Sequence, residues 1–420
     1  MNIFEALESE VRSYSRGWPT TFDRAQGSYL YDTSGTPYLD FFAGAGALNY
    51  GHNHPVLKQA LLDYLQRDGV THALDMQTEA KREFLERFRD VVLGPRGLDY
   101  KVMFPGPTGT NSVESALKLA RKITGRESVV SFTNAFHGMT LGSLAVTGNA
   151  MKRSGAGVPL PHTVRMPYDS YLDGQVPDFL WLNTLLEDSG SGVGTPAAVI
   201  VETVQGEGGL YPASPEWLRG LDEVCKRHDV LLIVDDVQMG CGRTGPFFSF
   251  EQAGITPDIV CLSKSIGGYG LPLALTLMRP ELDVWEPGEH NGTFRGNNPA
   301  FVTATAALDF WTDDTLEKDV LRKGDLVKSA LSSVVAESAS AEVRGRGLAW
   351  GIAFEDTDLG DQVCAAAFER GLLVETSGPE SEVVKTLPAL TIPDEDLTRG
   401  LDLLTDAVRS VLSTRAGSAA

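Results

Sequence analysis

Read for alternation of apolar and polar positions, the chain opens with two short aromatic-rich runs, Ser28-Tyr29-Leu30-Tyr31-Asp32 and Tyr38-Leu39-Asp40-Phe41-Phe42. The intervening Thr33-Ser34-Gly35-Thr36-Pro37 supplies turn chemistry, so the pattern predicts a β-hairpin. From about residue 55 to 310, wholly apolar runs alternate with helical periodicity. The predicted strands are Val102-Met103-Phe104, Val129 to Phe132, Ala197 to Glu202, Leu231 to Asp235, Asp258 to Leu262 and Leu273 to Met278. Runs without a polar face imply strands buried on both sides, hence crossover units and a mainly parallel sheet covered by helices.

One helix is particularly clear. Val113, Ala116, Leu117, Ala120 and Ile123 mark a single stripe, Glu114 and Lys118 stand at i, i+4, and Gly125 follows as a stop. Asp188 to Gly194, rich in Ser and Gly, is a predicted surface loop, and the tail from Arg415 to Ala420 is predicted to fray. The fold expected is therefore α/β. A large domain (55–314) carries the mainly parallel sheet, 315–420 forms a smaller α+β domain, and 1–54 is an N-terminal segment contributing to the small one.

Composition narrows the function. The 420 residues carry 36 Lys+Arg against 56 Asp+Glu, a net charge of −20, which argues against nucleic acid and anionic membrane as partners. Four scattered cysteines, an acid-bearing N-terminus and no long apolar run lead to the expectation of a cytoplasmic protein. No Gly-Lys dipeptide exists for a Walker A loop, no G-x-S-x-G elbow for a serine hydrolase, and His52 and His54 lack companions for a metal site.

In open parallel sheets ligands bind beyond the carboxyl ends of the strands. Four strand ends carry chemistry there. Phe104 to Asn111 runs through glycines and the hydroxyls of Thr108 and Thr110 into the helix, making either a phosphate seat or a plain cap. Asp235 ends an apolar strand, where an acid either holds a cationic ligand group or turns the chain. Lys264 follows another such strand and precedes Gly267-Gly268. Desolvation there favours a neutral amine able to form a Schiff base, the alternative being a surface lysine on a turn. Phe136 follows the strand ending at Phe132, placed either to stack on a flat ring or to fill the core. Phosphate seat, carboxylate, amine and aromatic together are the requirements of pyridoxal 5′-phosphate.

The motifs carry a resemblance as well. Asp235 to Gly245 (DDVQMGCGRTG) resembles the D-E-V-Q-x-G-x-G-R-T-G pattern of class III (ω-type) aminotransferases. Glu202 to Gly209, Phe136-His137-Gly138, Gly51-His52-x-His54-Pro55 and Ser263-Lys264 with its two glycines resemble further motifs of that family. Residues 8–14, 40–52 and 293–300 look like the branch of ectoine biosynthesis that forms diaminobutyrate rather than like ornithine or 4-aminobutyrate transaminases.

The resemblance implies PLP-dependent aminotransferase fold type I, pyridoxal 5′-phosphate as cofactor, and L-glutamate and L-aspartate 4-semialdehyde as small-molecule substrates. It implies that Lys264 forms the imine with the cofactor and shuttles the proton, that Asp235 pairs with the ring nitrogen, and that Gln238 lies near the ring hydroxyl while Phe136 stacks. Thr108, Gly109 and Thr110 are then at the phosphate, with His137, Glu202 and Val237 around the cofactor. Thr293 reaches the phosphate of a neighbouring subunit, which makes a homodimer the minimum unit. At the substrate end Glu207 matches a gating acid, Ala45 belongs to a wall of small residues, and Lys385 stands where the family usually has an arginine. Lys385 supplies charge without a bidentate fork. Other ω-aminotransferases, acting on ornithine, acetylornithine or 4-aminobutyrate, and a PLP aminomutase are the alternatives at this point.

Overall fold

The structure, a computed structural model, describes residues 2–172, 179–336 and 340–418, the side chains of 416–418 excepted. Its centre is a sheet of seven strands: β1 (Lys101–Met103), β2 (Val129–Phe132), β3 (Thr163–Met166), β4 (Ala198–Val201), β5 (Leu231–Asp235), β6 (Ile259–Leu262) and β7 (Leu275–Met278). They lie in the order β1-β7-β6-β5-β4-β2-β3. β7 runs antiparallel to both of its neighbours, β6 and β1, and the other pairs are parallel. The expected mainly parallel sheet is present.

The continuous apolar runs have the predicted cause. In β5, Ile233 faces a core cluster with Val113, Ala116, Leu117 and Ala120 of the helix Gly109–Thr124, whereas Leu232 and Val234 face the larger core on the other side. A strand covered on both faces has no polar position to spare. The helix ends at Gly125, whose φ of +67° is the left-handed stop that glycine adopts readily. Glu114 and Lys118, however, do not pair with each other. Glu114 accepts from Thr140 Oγ1 at 2.5 Å and from Ser143 N at 3.0 Å, and Lys118 Nζ donates to the Glu289 carbonyl at 2.8 Å. Tertiary donors outcompete a marginal exposed i, i+4 pair.

The predicted hairpin is Tyr29–Asp32 with Pro37–Asp40, widened by Phe22–Gln26 on one side and by Leu372–Leu373 in parallel on the other. The two ends of the chain thus share a sheet. A second four-stranded sheet holds Ala341–Arg346, Ala349–Phe354, Val383–Thr386 and Glu375–Ser377 in that spatial order. The tail departs from expectation, since the helix Asp394–Ser418 includes residues 415–418; the last two residues lie outside the described ones. No helix among the described residues is long and apolar enough to cross a membrane.

Candidate active site

At the carboxyl edge of the parallel strands lies a cavity of about 370 Å³. Every strand end singled out in the sequence opens into it. Its wall includes Thr108, Gly109 and Thr110 after β1, Phe136 and His137 after β2, and Glu202 and Glu207 after β4. Asp235, Val237 and Gln238 enter from β5, and Lys264 from β6. Of the residues named from sequence, Thr293, Lys385 and Ala45 are the ones that do not line this cavity.

The helix after β1 is capped from within. Asn111 Oδ1 accepts from Thr108 N at 3.2 Å and from Thr108 Oγ1 at 2.9 Å, so capping is served by Thr108 and Asn111. Thr110 is left for the cavity, its hydroxyl held by Thr140 Oγ1 at 2.7 Å and Ser143 Oγ at 2.6 Å. Two glycines permit this crowding. A Cβ on Gly109 would meet Val237 Cγ1 at 2.8 Å, and one on Gly138 would meet Thr110 Oγ1 at 2.5 Å.

Asp235 accepts from His137 Nδ1 at 2.7 Å and from the Val237 amide at 3.2 Å. The far nitrogen of that ring, His137 Nε2, is buried with no partner among the described residues. Glu202 accepts the amides of Phe136 at 2.9 Å and Gly206 at 3.3 Å. Burial first, then the nearby Asp235 charge, pushes the Glu202 carboxyl well above its ordinary range despite those donors. The Phe136 ring is half-buried and takes the Lys152 ammonium 4.4 Å from its centroid.

Lys264 occupies a left-handed backbone position, φ +52°, a strained choice for a residue with a Cβ. Its Nζ donates to the Ala45 carbonyl at 2.8 Å, and Gln238 Nε2 donates to the same oxygen at 3.0 Å. Ala45 thus meets Lys264 and Gln238 through its backbone carbonyl. It belongs to four consecutive positive-φ residues, Ala43 (+46°), Gly44 (+61°), Ala45 (+55°) and Gly46 (+83°). Asp40 anchors the entry to this loop by accepting the amides of Phe42 and Ala43, both at 2.8 Å, and His52 Nε2 donates to its other oxygen at 2.7 Å. His52 is thus structural, as the sequence suggested.

Burial lowers the Lys264 pKa from the ordinary lysine value, so more of its amine is neutral and nucleophilic at a given pH. Reductive alkylation of the cofactor-free protein with acetaldehyde at about pH 8 is expected to label Lys264 well before Lys318. The Lys318 ammonium is exposed and raised by hydrogen bonding to Asp314. Peptide mass spectrometry reads the order of labelling. The difference should narrow toward about pH 11, where ordinary lysines also lose their proton.

Behind the wall, Lys385 is completely buried between two carboxylates, Glu207 Oε1 at 2.7 Å and Glu375 Oε1 at 3.1 Å. Burial favours the neutral amine, but Glu207 and Glu375 outweigh it and raise the Lys385 pKa. Burial likewise opposes ionisation of Glu207, yet Lys385 and Lys264 hold that carboxyl down to about 2. Lys385→Met should destabilise the fold by about 3 kcal/mol, because it removes the cation shared by the buried Glu375 and the half-buried Glu207. Urea denaturation checks this, and Lys385→Met combined with Glu375→Leu should recover part of the loss.

Sequence inspection missed Glu375, which cross-strand register puts opposite Lys385, and also the Thr140 and Ser143 hydroxyls. No local pattern marks any of them. Thr293 is exposed, and its carbonyl accepts from His72 Nε2 at 2.8 Å.

The aminotransferase class-III family model matches residues 13–408. The chain belongs to the class III aminotransferases. It is 69% identical over 413 residues to a diaminobutyrate–2-oxoglutarate transaminase of Streptomyces avermitilis, covering 97% of this chain and 98% of that protein. A protein of the same name from Halalkalibacterium halodurans is 59% identical over 417 residues, 99% of this chain and 98% of the other. Among solved structures, an ornithine aminotransferase from Toxoplasma gondii with pyridoxal 5′-phosphate at partial occupancy matches with a TM-score of 0.86 and 26% identity. That match covers 99% of this chain and 94% of that one.

Class III aminotransferases depend on pyridoxal 5′-phosphate. The cavity fits that group by its own features. It has a glycine cradle at a helix N-terminus for an anion, a buried carboxylate, an amine of lowered pKa, and a buried acceptor, Gln238 Oε1, with no donor among the described residues.

Proposed function

We propose that this enzyme moves the amino group of L-glutamate to L-aspartate 4-semialdehyde, giving 2-oxoglutarate and L-2,4-diaminobutyrate. The observation that carries this reading is the 56–69% identity over nearly the full chain to proteins named diaminobutyrate–2-oxoglutarate transaminase. Pyridoxal 5′-phosphate, when bound, supplies the aldehyde that takes up the amino group and a ring that accepts charge developing at the substrate carbon.

The chain's own residues do the rest. Lys264 is the amine that anchors the cofactor and, once released, moves the proton at the substrate carbon. Asp235, steadied by His137, holds the proton on the ring nitrogen. Glu202, pushed toward its neutral form by burial and by Asp235, competes little with the Asp235 charge. Thr108, Gly109, Thr110 and the helix N-terminus would hold the phosphate and Phe136 and Val237 would lie beside the ring, while Gln238 Oε1, with no donor among the described residues, would be available to the ring hydroxyl.

Glu207, Lys385 and the carbonyl of Ala45 belong to the substrate end. Thr293 lies on an exposed stretch beside Phe294, itself 70% exposed, and we assign both to contact with a second copy of the chain. We propose a homodimer working in the cytoplasm.

The test is direct. Purified protein with cofactor, glutamate and the semialdehyde should yield 2-oxoglutarate and diaminobutyrate in equal amounts. Absence of diaminobutyrate, with glutamate consumed against another aldehyde instead, contradicts the proposal.

A further inference from the structure

The cavity wall contains one carboxylate with an oxygen to spare. Glu207 receives both of its side-chain donors on Oε1, Lys385 Nζ at 2.7 Å and Gln238 Nε2 at 3.2 Å, and no donor reaches Oε2 among the described residues. Its side chain keeps 20% of its surface, against none for Lys385 and 5% for Glu375, so Glu207 is the member of the trio that a ligand touches. Glu207 is held toward its ionised form while burial raises the Glu375 pKa, so the oxygen offered to the cavity is that of the Glu207 carboxylate. Such a wall favours a cationic group over a second anion.

The spare oxygen is also close to the chemistry. Lys264 Nζ, Ala45 O, Gln238 Nε2 and Glu207 Oε1 are joined by successive contacts of 2.8, 3.0 and 3.2 Å, which keep the carboxylate within about 9 Å of the reactive amine. A short substrate with its aldehyde carbon beside Lys264 has Glu207 in the same cavity wall to meet its other end.

We propose that Glu207, through Oε2, receives the α-ammonium group of the amino-accepting aldehyde, while Glu375 keeps Lys385 in place beside it as a positioning residue. This rests on the substrate reading above and names the group that recognises that substrate. Because Lys385 has its own fixed carboxylate in Glu375, Glu207 is not its sole counter-ion and is left able to serve a ligand. Lys385 and Lys264 in turn hold the Glu207 carboxyl well below its ordinary range, which favours the ionised form. An aldehyde of the same length that lacks the α-ammonium, succinic semialdehyde, leaves that oxygen without a partner, and the loss discriminates against it.

The experiment uses holoenzyme first loaded with an amino group from glutamate, then mixed with L-aspartate 4-semialdehyde or succinic semialdehyde. The quantity read is the ratio of their second-order discharge rate constants. Glu207→Gln should lower that ratio by about 10- to 100-fold, the weight of one charge-assisted hydrogen bond. Glu375→Gln, one shell further out, should lower it by a smaller factor.

A second readout needs no turnover. L-homoserine and 4-hydroxybutyrate differ by the same ammonium, and the ratio of their dissociation constants should collapse in Glu207→Gln by a similar factor. A Glu207→Gln variant that slows both aldehydes equally and leaves both ratios intact overturns the inference while sparing the transamination. Wild-type holoenzyme that L-aspartate 4-semialdehyde cannot discharge overturns the substrate reading instead. In that case a homoserine preference that disappears in Glu207→Gln still supports the ammonium receptor, and no preference in wild type removes it.

Discussion

Lys264→Ala is expected to lower amino transfer by about 10⁴-fold or more while leaving the fold intact. Among the described residues Lys264 is the one lysine lining the cavity, and Lys385 is enclosed by Glu207 and Glu375 behind the wall. The fold tolerates the change because the side chain contributes a single hydrogen bond, to Ala45 O, and Gln238 Nε2 still occupies that acceptor. Borohydride treatment of the variant in the presence of cofactor should fix no chromophore to the chain, whereas the wild type becomes permanently labelled. A variant that remains yellow and reducible contradicts the assignment. Circular dichroism should show the same helix content for both proteins.

Asp235→Asn should cost about 10³-fold in kcat, with a much smaller effect on the amount of cofactor bound. Its carboxylate is the charged partner in reach of the ring, whereas Glu202 is driven toward its neutral form by burial and by Asp235 itself. Asparagine keeps the shape and can still accept from the Val237 amide, at 3.2 Å in the wild type, but has no charge with which to hold a proton on the ring nitrogen. Its amide also faces His137 Nδ1, which now donates at 2.7 Å, so the ring must change its donor pattern. Stopped-flow absorbance should show that the proton-transfer step slows while cofactor content stays near the wild-type value. A variant with normal kcat and depleted cofactor would assign Asp235 to binding rather than to chemistry.

Much of the site was legible in the sequence because buried parallel strands leave it there. An unbroken apolar run must be covered on both faces, and its last residue must lie at the sheet edge where ligands bind. Asp235 and Lys264 stand out because each is a polar residue at the end of such a run. The direction of β7 was not legible, since an apolar run reads alike in either direction. β3 escaped notice because it is an edge strand with Thr163 and Arg165 in it, and its pattern has no strong period.

The substrate end was harder for a different reason. Glu375 meets Lys385 through strand register, and Lys385 meets Glu207 across 178 positions of chain. The contribution of Ala45 is a carbonyl oxygen, which any residue possesses. What makes the position special is four left-handed residues in a row, braced by Asp40 and His52, and backbone conformation of that kind leaves only a weak trace in the glycines.

The central claim is that amino transfer in this cavity runs from glutamate to the semialdehyde of aspartate. The most direct measurement loads the holoenzyme with glutamate, removes the 2-oxoglutarate, and times discharge by a panel of aldehydes: L-aspartate 4-semialdehyde, glutamate 5-semialdehyde, its N-acetyl derivative and succinic semialdehyde. L-aspartate 4-semialdehyde should discharge the enzyme fastest and leave L-2,4-diaminobutyrate as product. Faster discharge by any other member of the panel would contradict the account.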